Sequence, residues 1–252
     1  MHRRTQVGAG EARAVRGAVA STSILAPVVA DKIWTLERPV WYSGIRQRAR
    51  TTVVRLDDGS LLLHSSAPPT DDFVERLRPL GPVRWLVVPN CFHHLGTPAA
   101  AIRFPEAQVA GPESALERNE ELKLHLGIQD AKFAELVPEL EALPLLGVPF
   151  LDETVLYHRP TQTLLGADIA LCASARDHWT CRFAAKMTGF YERMRVPPDV
   201  RWSKPDKLAA ARSIQSMLDR PAKRLIVGHA DVVEEGCRDR LAQAWRQEGV
   251  RV

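Results

Sequence analysis

Short apolar runs, each closed by a turn-forming or polar residue, recur along the whole chain. Trp85-Leu86-Val87-Val88 is the strongest. Its β-branched and aromatic residues predict a strand buried on both faces. Pro89, with no N–H to donate, ends that ladder. Thr51 to Leu56 and Ser60 to His64 predict two more strands. Asp57-Asp58-Gly59 between them predicts a tight hairpin, because Asp-Gly tolerates positive φ. Val28 to Leu36 predicts a first strand broken at Asp31-Lys32, followed by a loop over 38–50 carrying Trp41 and Tyr42. Helical signals alternate with these runs. Thr70 is placed to cap a helix reaching about Leu80, with Asp71 and Asp72 at its positive end. Pro98 to Phe104 predicts a short helix capped by Thr97, Gln108 to Ala110 a strand, and Pro112 the start of another helix. Residues 119–145 read as charged and mostly helical or irregular. β character returns at 150–158 and 161–165, with His158 expected at an exposed strand end. His178 to Met194 predicts a long amphipathic helix whose stripe of Trp179, Phe183, Met187, Phe190 and Tyr191 reads as core or lid. Lys207 to Leu218 predicts a helix, Arg224 to Val227 the last strand, and Cys237 to Gln247 the final helix. The alternation predicts an α/β fold, a parallel or mixed sheet covered by helices.

With 252 residues the chain can bury a sizeable core. No apolar run approaches the roughly 20 residues that a membrane span needs. The net charge of +4 is unevenly placed: Arg3, Arg4, Arg13 and Arg16 face Glu11 alone at the start. No basic stripe with interleaved aromatics follows, which argues against a nucleic-acid face. Residues 1–26, rich in Gly, Ala and Arg without periodicity, read as a disordered basic arm lacking the apolar core of a targeting signal. Residues 27–252 read as a single domain. Cys91, Cys172, Cys181 and Cys237 are far apart and make no C-x-x-C, which suits reduced thiols in a cytoplasmic protein. The expected partner is a small molecule, with neither nucleic acid nor membrane.

Three apolar strands end in metal-type ligands: His93 and His94 after Val88, Asp168 after Leu165, and His229 after Val227. In α/β sheets the carboxyl ends of strands are where ligands bind. If these ends share one rim, imidazoles and a carboxylate converge in a set suited to Zn, Fe or Mn. Such an ion activates water for attack at neutral pH. His64, Asn90, Cys91, Asp177 and His178 are further polar groups within reach of such a rim, and His125 reads as a surface residue.

The phrases D-G-S-L-L-L-H-S at 58–65, V-P-N-C-F-H-H-L at 88–95, T-L-L-G-A-D at 163–168 and L-I-V-G-H at 225–229 carry a closer likeness. In that order, over about residues 28–247, they resemble the metallo-β-lactamase fold superfamily. More narrowly, they resemble its uncharacterised branch, domain of unknown function 4336. The resemblance implies a four-layer αβ/βα sandwich and metal-dependent hydrolysis. The superfamily signature is His-x-His-x-Asp-His followed by x-Gly. Aligned on His94-Leu95-Gly96, its first His falls on Pro89, its second on Cys91, its Asp on His93 and its last His on His94. No His stands near Phe150, where the family completes a three-imidazole site, and Ala167 replaces a Gly. The resemblance therefore implies a reduced, mononuclear centre. His93, His94, Asp168 and His229 are its expected ligands, and Asp168 and His94 its expected catalytic groups. The expected ion is one divalent metal, zinc first, with iron or manganese as alternatives. The implied function is a metal-dependent hydrolase for an ester, thioester, amide or phosphoester. The alternative is a catalytically inactive fold that binds a small molecule or partner.

Overall fold

The Asp57-Asp58-Gly59 hairpin is present, and it sits inside a larger antiparallel meander. The computed structural model describes residues 24–252; of the expected arm over 1–26, residues 1–23 lie outside the described residues, and Leu25 and Ala26 belong to a strand. β1 (Leu25–Val29) and β2 (Ile33–Tyr42) pair through the turn at Ala30–Lys32, where Asp31 takes φ 56°. The expected single broken strand is thus two strands. β2 then turns directly into β3 (Ile45–Arg55). The expected loop over 38–50 is this hairpin, closed by Ser43 (φ 47°) and Gly44 (φ 77°). Positive φ at both positions is the type I′ turn that matches strand twist. The hairpin is hard to read because its alternating positions carry Arg46, Arg48 and Arg50 instead of apolar side chains.

β4 (Leu61–His64) completes the antiparallel half of the first sheet. Then α1 (Asp71–Leu77), capped by Thr70 Oγ1 accepting from Phe73 N, crosses to β5 (Val83–Val87), which pairs parallel to β4. α2 (Thr97–Arg103), with Thr97 inside the helix and Gly96 before it, leads to β6 (Gln108–Gly111). A 3₁₀ turn (Glu113–Arg118) follows, then β7 (Leu126–Gly127) closes a seven-stranded sheet in sequence order. The stretch 119–145 also holds α3 (Ala131–Leu136) and an unexpected strand, β8 (Leu140–Pro144). β8 is the edge of a second sheet, ordered β11-β10-β9-β8. An edge strand tolerates Glu141 and a terminal Pro144, which hid it from the apolar pattern. β9 (Thr154–His158), β10 (Thr163–Leu165) and β11 (Arg224–Ile226) complete that sheet, with β10 and β11 parallel.

Side chains alternate between layers, as strand geometry requires. Leu61 and Leu63 face α1 and α2, while Leu62 faces the second sheet. Val155, Leu164 and Leu225 pack beneath α6 (Lys207–Leu218) and α7 (Cys237–Arg246), while Leu156, Leu165 and Ile226 face the first sheet. The result is the four-layer αβ/βα sandwich. Trp245 of α7 donates from Nε1 to Ile169 O at 3.2 Å, tying the outer helix to the turn after β10. α4 (Trp179–Thr188) is shorter than expected, since Gly189 caps it in the left-handed conformation (φ 87°). Among the described residues, no helix is long and apolar enough to cross a membrane.

His158 is not exposed: it lies fully buried on β9, with Nδ1 2.7 Å from Thr161 Oγ1 and Nε2 without a partner. Burial, helped by Lys32, pushes its pKa down to about 4. The unfolded chain takes up this proton near pH 6.5, so unfolding gains a proton below that value and stability falls down to about pH 4. A tenfold change in proton affinity is worth about 1.4 kcal/mol, so His158 withdraws roughly 3 kcal/mol over this window. Urea unfolding at stepped pH should show this loss. His158→Gln should be less stable at neutral pH, with a shallower decline on acidification.

Candidate metal centre

The loop after β5 is curled by Asn90, whose Oδ1 accepts from the backbone N–H of Phe92 and of His93, both at 2.9 Å. That curl turns His93 inward. Asp168 follows β10 and His229 follows β11, and Gly228 N donating to Ala167 O (2.9 Å) holds these two loops side by side. Gly228 has no room for a side chain: a Cβ would stand 2.7 Å from His93 Cε1. The three strand ends therefore meet. His93 Nε2 lies 3.2 Å from His229 Nε2 and 3.2 Å from Asp168 Oδ2, and His229 Nε2 lies 3.4 Å from Asp168 Oδ1. His93, Asp168 and His229 are the cluster able to hold a metal ion among the described residues.

The donor set fits a cation on two grounds. Bonds of about 2.0–2.1 Å in a tetrahedron set ligand atoms roughly 3.3 Å apart, which is the spacing found. The second ground is the tautomer. His229 Nδ1 sits 2.6 Å from the Arg48 carbonyl oxygen, which only accepts, so Nδ1 carries the proton and Nε2 offers its lone pair inward. His93 Nδ1 is held 2.6 Å from Ser65 Oγ. Two imidazole nitrogens and a carboxylate facing one another repel unless a proton or metal lies among them. Electrostatics agree. Burial opposes charge on His93, yet Asp168 and then Glu153 raise its pKa. Burial likewise opposes charge on Asp168, but His93, His229 and Asn90 hold it well below the usual carboxylate range. Burial keeps His229 on the neutral side.

Glu153 is the residue that sequence reasoning missed. Buried at the start of β9, its Oε1 accepts from Ala167 N (2.8 Å) and Ile169 N (3.2 Å). Its Oε2 accepts from Asp168 N (2.8 Å) and Asn90 Nδ2 (3.0 Å). Asn90 Nδ2 also donates to Asp168 Oδ2 at 2.8 Å. Burial and the neighbouring Asp168 raise the Glu153 pKa. The only sequence signal was an acid just before an apolar strand, where a turn is the ordinary reading.

His94, expected as a ligand, is not brought into the cluster. It is buried on the other side of the loop, where its Nδ1 lies 3.1 Å from Asn119 Nδ2. Adjacent loop residues point apart, and His93 took the inward position. Burial, Arg118 and His93 lower its pKa. Cys91 is buried, donates to Phe150 O, and its pKa is raised by burial, as a structural thiol would be. His64 lies buried below, its Nε2 unpartnered and its pKa pushed to about 3 by burial and His93. His178 caps α4, while Asp177 binds the Arg48 guanidinium at 2.8 and 3.0 Å. His125 is an exposed residue whose Nδ1 accepts from Val109 N.

Two guanidiniums lie near the loop after β5. Half-buried Arg38 on β2 is near enough to act on His93, and Arg118 stacks 4.3 Å over the Phe92 ring beside His94. Neither forms an ion pair among the described residues.

Residues 30–115 match the family model described as Domain of unknown function (DUF4336). No curated protein sequence matches the chain. Solved structures do, over nearly their whole length. A metallo-β-lactamase from Pontibacter korlensis superposes with TM-score 0.60 at 14% identity, covering 88% of this chain and 97% of that one. One from Erythrobacter litoralis, with β-mercaptoethanol in its active site, gives 0.62 at 15% identity over 87% and 94%. One from Pseudomonas aeruginosa in a mono-zinc form gives 0.63 at 11% identity over 91% and 97%. With its two sheets, flanking helices and shared strand-end rim, the chain has the metallo-β-lactamase fold, and its centre departs from the expected signature at the loop after β5.

Proposed function

We propose that the chain is a metal-dependent hydrolase with a mononuclear centre held by His93, Asp168 and His229. The observation carrying this reading is the set of inward-facing nitrogens and carboxylate oxygens 3.2–3.4 Å apart. Zinc is the favoured ion, since two imidazoles and a carboxylate with an open fourth position form a common catalytic zinc set. Iron and manganese also suit these ligands. When bound, such an ion supplies Lewis acidity and lowers the pKa of water toward 7.

The chain's own residues do the rest. Ser65 and the Arg48 carbonyl fix the two ring orientations, so that neither imidazole needs to reorganise on loading. Glu153 and Asn90 fix the Asp168 carboxylate. His94, buried on the other side of the loop against Asn119, is assigned to holding that loop and not to ligation. Half-buried Arg38, whose charge acts on His93, favours a small-molecule substrate with a negative group, because a guanidinium is a ready partner for carboxylate or phosphate.

Elemental analysis of the purified protein should give close to one equivalent of metal. Asp168→Asn and His229→Ala should lose it together with any hydrolytic activity. His94→Ala should keep the metal, since its ring is turned toward Asn119 and away from the cluster. Metal lost from His94→Ala would restore His94 as a ligand. Wild-type protein that takes up no zinc, iron or manganese would exclude the hydrolase reading and leave the alternative of a binding protein.

Glu153→Gln keeps the shape but loses the charge and one acceptor for the 167–169 N–H groups. Partners of ligating groups typically tune metal affinity by about 10–100-fold. Competition with a chelator should show a loss of that order, with the far-UV spectrum unchanged.

A further inference from the structure

Helix α4 is apolar on two opposite sides. Cys181 and Ala185 pack inward against Ala173. On the other side Trp179, Phe183 and Met187, spaced four residues apart, are 63%, 64% and 73% exposed. Trp41 at the tip of the β2–β3 hairpin, 58% exposed, stands edge-on to His178 at 6.2 Å. Trp202 ends α5 (Pro198–Trp202) and is 70% exposed; α5 is tied to α4 by Arg201 Nη1 donating to Thr188 O at 3.1 Å. Tyr42 OH donating to Asp199 (3.1 Å) and Arg46 N donating to Thr180 Oγ1 (3.0 Å) lock hairpin, α4 and α5 together. Trp41 and Trp179 both stand against His178, at 6.2 and 5.7 Å, so the hairpin tip adjoins the α4 stripe on elements tied together, and an exposed apolar patch of this kind marks an interaction site.

The charge on this face selects the occupant. The charged residues of α4 are Arg182 and Lys186, with no acid, and the flanking segments carry Arg46, Arg193, Arg201 and Lys204 against Glu192 and Asp199, a net positive balance. A second copy docked through α4 about a two-fold axis would bring one basic helix against another, with no acid on either to pair with Arg182 or Lys186, which like-charge repulsion opposes. Exposed Trp, Phe and Met bordered by Lys and Arg is instead the composition of a helix lying in a lipid headgroup layer. We propose that the α4 face, with Trp41 and Trp202, docks the protein on an anionic membrane surface. The expectation of no membrane partner came from the lack of a spanning segment, and peripheral docking needs none. The four arginines among residues 1–20 add to the same attraction. This proposal does not depend on the metal centre.

The test is co-sedimentation of the full-length protein with vesicles of phosphatidylcholine alone or mixed with phosphatidylserine. Binding should require phosphatidylserine, weaken as salt is raised, and be accompanied by a blue shift of tryptophan emission. The triple variant W179A/F183A/M187A should bind at least about 100-fold more weakly, since each buried side chain of this size contributes roughly tenfold or more. R182Q/K186Q should lose about fivefold per charge. Circular dichroism would verify that the variants fold. No binding to phosphatidylserine vesicles at low salt overturns the proposal. So does undiminished binding by the triple variant, which would assign the attraction to the arginines of residues 1–20. A dimer in the ultracentrifuge that the triple variant abolishes would give the patch to a second copy and also overturn it.

Discussion

The buried carboxylate of Glu153 is the constraint on which the centre depends. It receives N–H groups from three successive residues, Ala167, Asp168 and Ile169, and the Asn90 amide from the opposite sheet. A buried carboxylate is costly unless its oxygens are fully hydrogen-bonded. Here that requirement works in reverse: the chain cannot place Glu153 without bending the loop after β10 around it. That bend aims Asp168, and the Asn90 amide then bridges both carboxylates. The same Asn90 curls the backbone that carries His93. One acid and one amide thus fix two of the three groups at the rim.

The third group, His229, is fixed from the hairpin side. Arg48 offers its carbonyl to His229 Nδ1, while its guanidinium is gripped by Asp177, Asp231 and Glu37. Arg50 adds a bond to Val227 O at 2.7 Å, next to the Gly228 that must lie flat against His93. This cationic pair on β3 therefore sets where β11 ends relative to the first sheet. Asp168 favours positive charge on His93, and His93 in turn holds Asp168 ionised, so the rim favours a positive charge among its three groups.

Much of this was legible in the chain. Apolar runs ending in His, Asp and His gave the strand ends, and the three that matter do converge. What the pattern could not supply was direction. His93 and His94 are adjacent in a loop, where no period tells which one points inward, and the Asn90 curl decides it. Glu153 was unreadable because its need is set by backbone N–H groups fourteen to sixteen residues away. The α4 stripe misled for another reason. The stripe reads as core or lid; it is not core on α4 itself, which buries its small residues, Cys181 and Ala185, and leaves Trp179, Phe183 and Met187 outside, while Phe190 and Tyr191 beyond it do pack inward. The β2–β3 hairpin was missed because Arg46, Arg48 and Arg50 hold its alternating positions, the last two in ion pairs, so the two-residue period survives in charge and not in hydrophobicity.

Anomalous diffraction at the zinc edge, from crystals of zinc-loaded protein, tests the centre most directly. One strong peak is expected within bonding distance of His93 Nε2, His229 Nε2 and an Asp168 carboxylate oxygen, with His94 still turned toward Asn119. A rim without a peak, or a peak bonded to Cys91 or His94 in place of that trio, would contradict a three-ligand mononuclear centre.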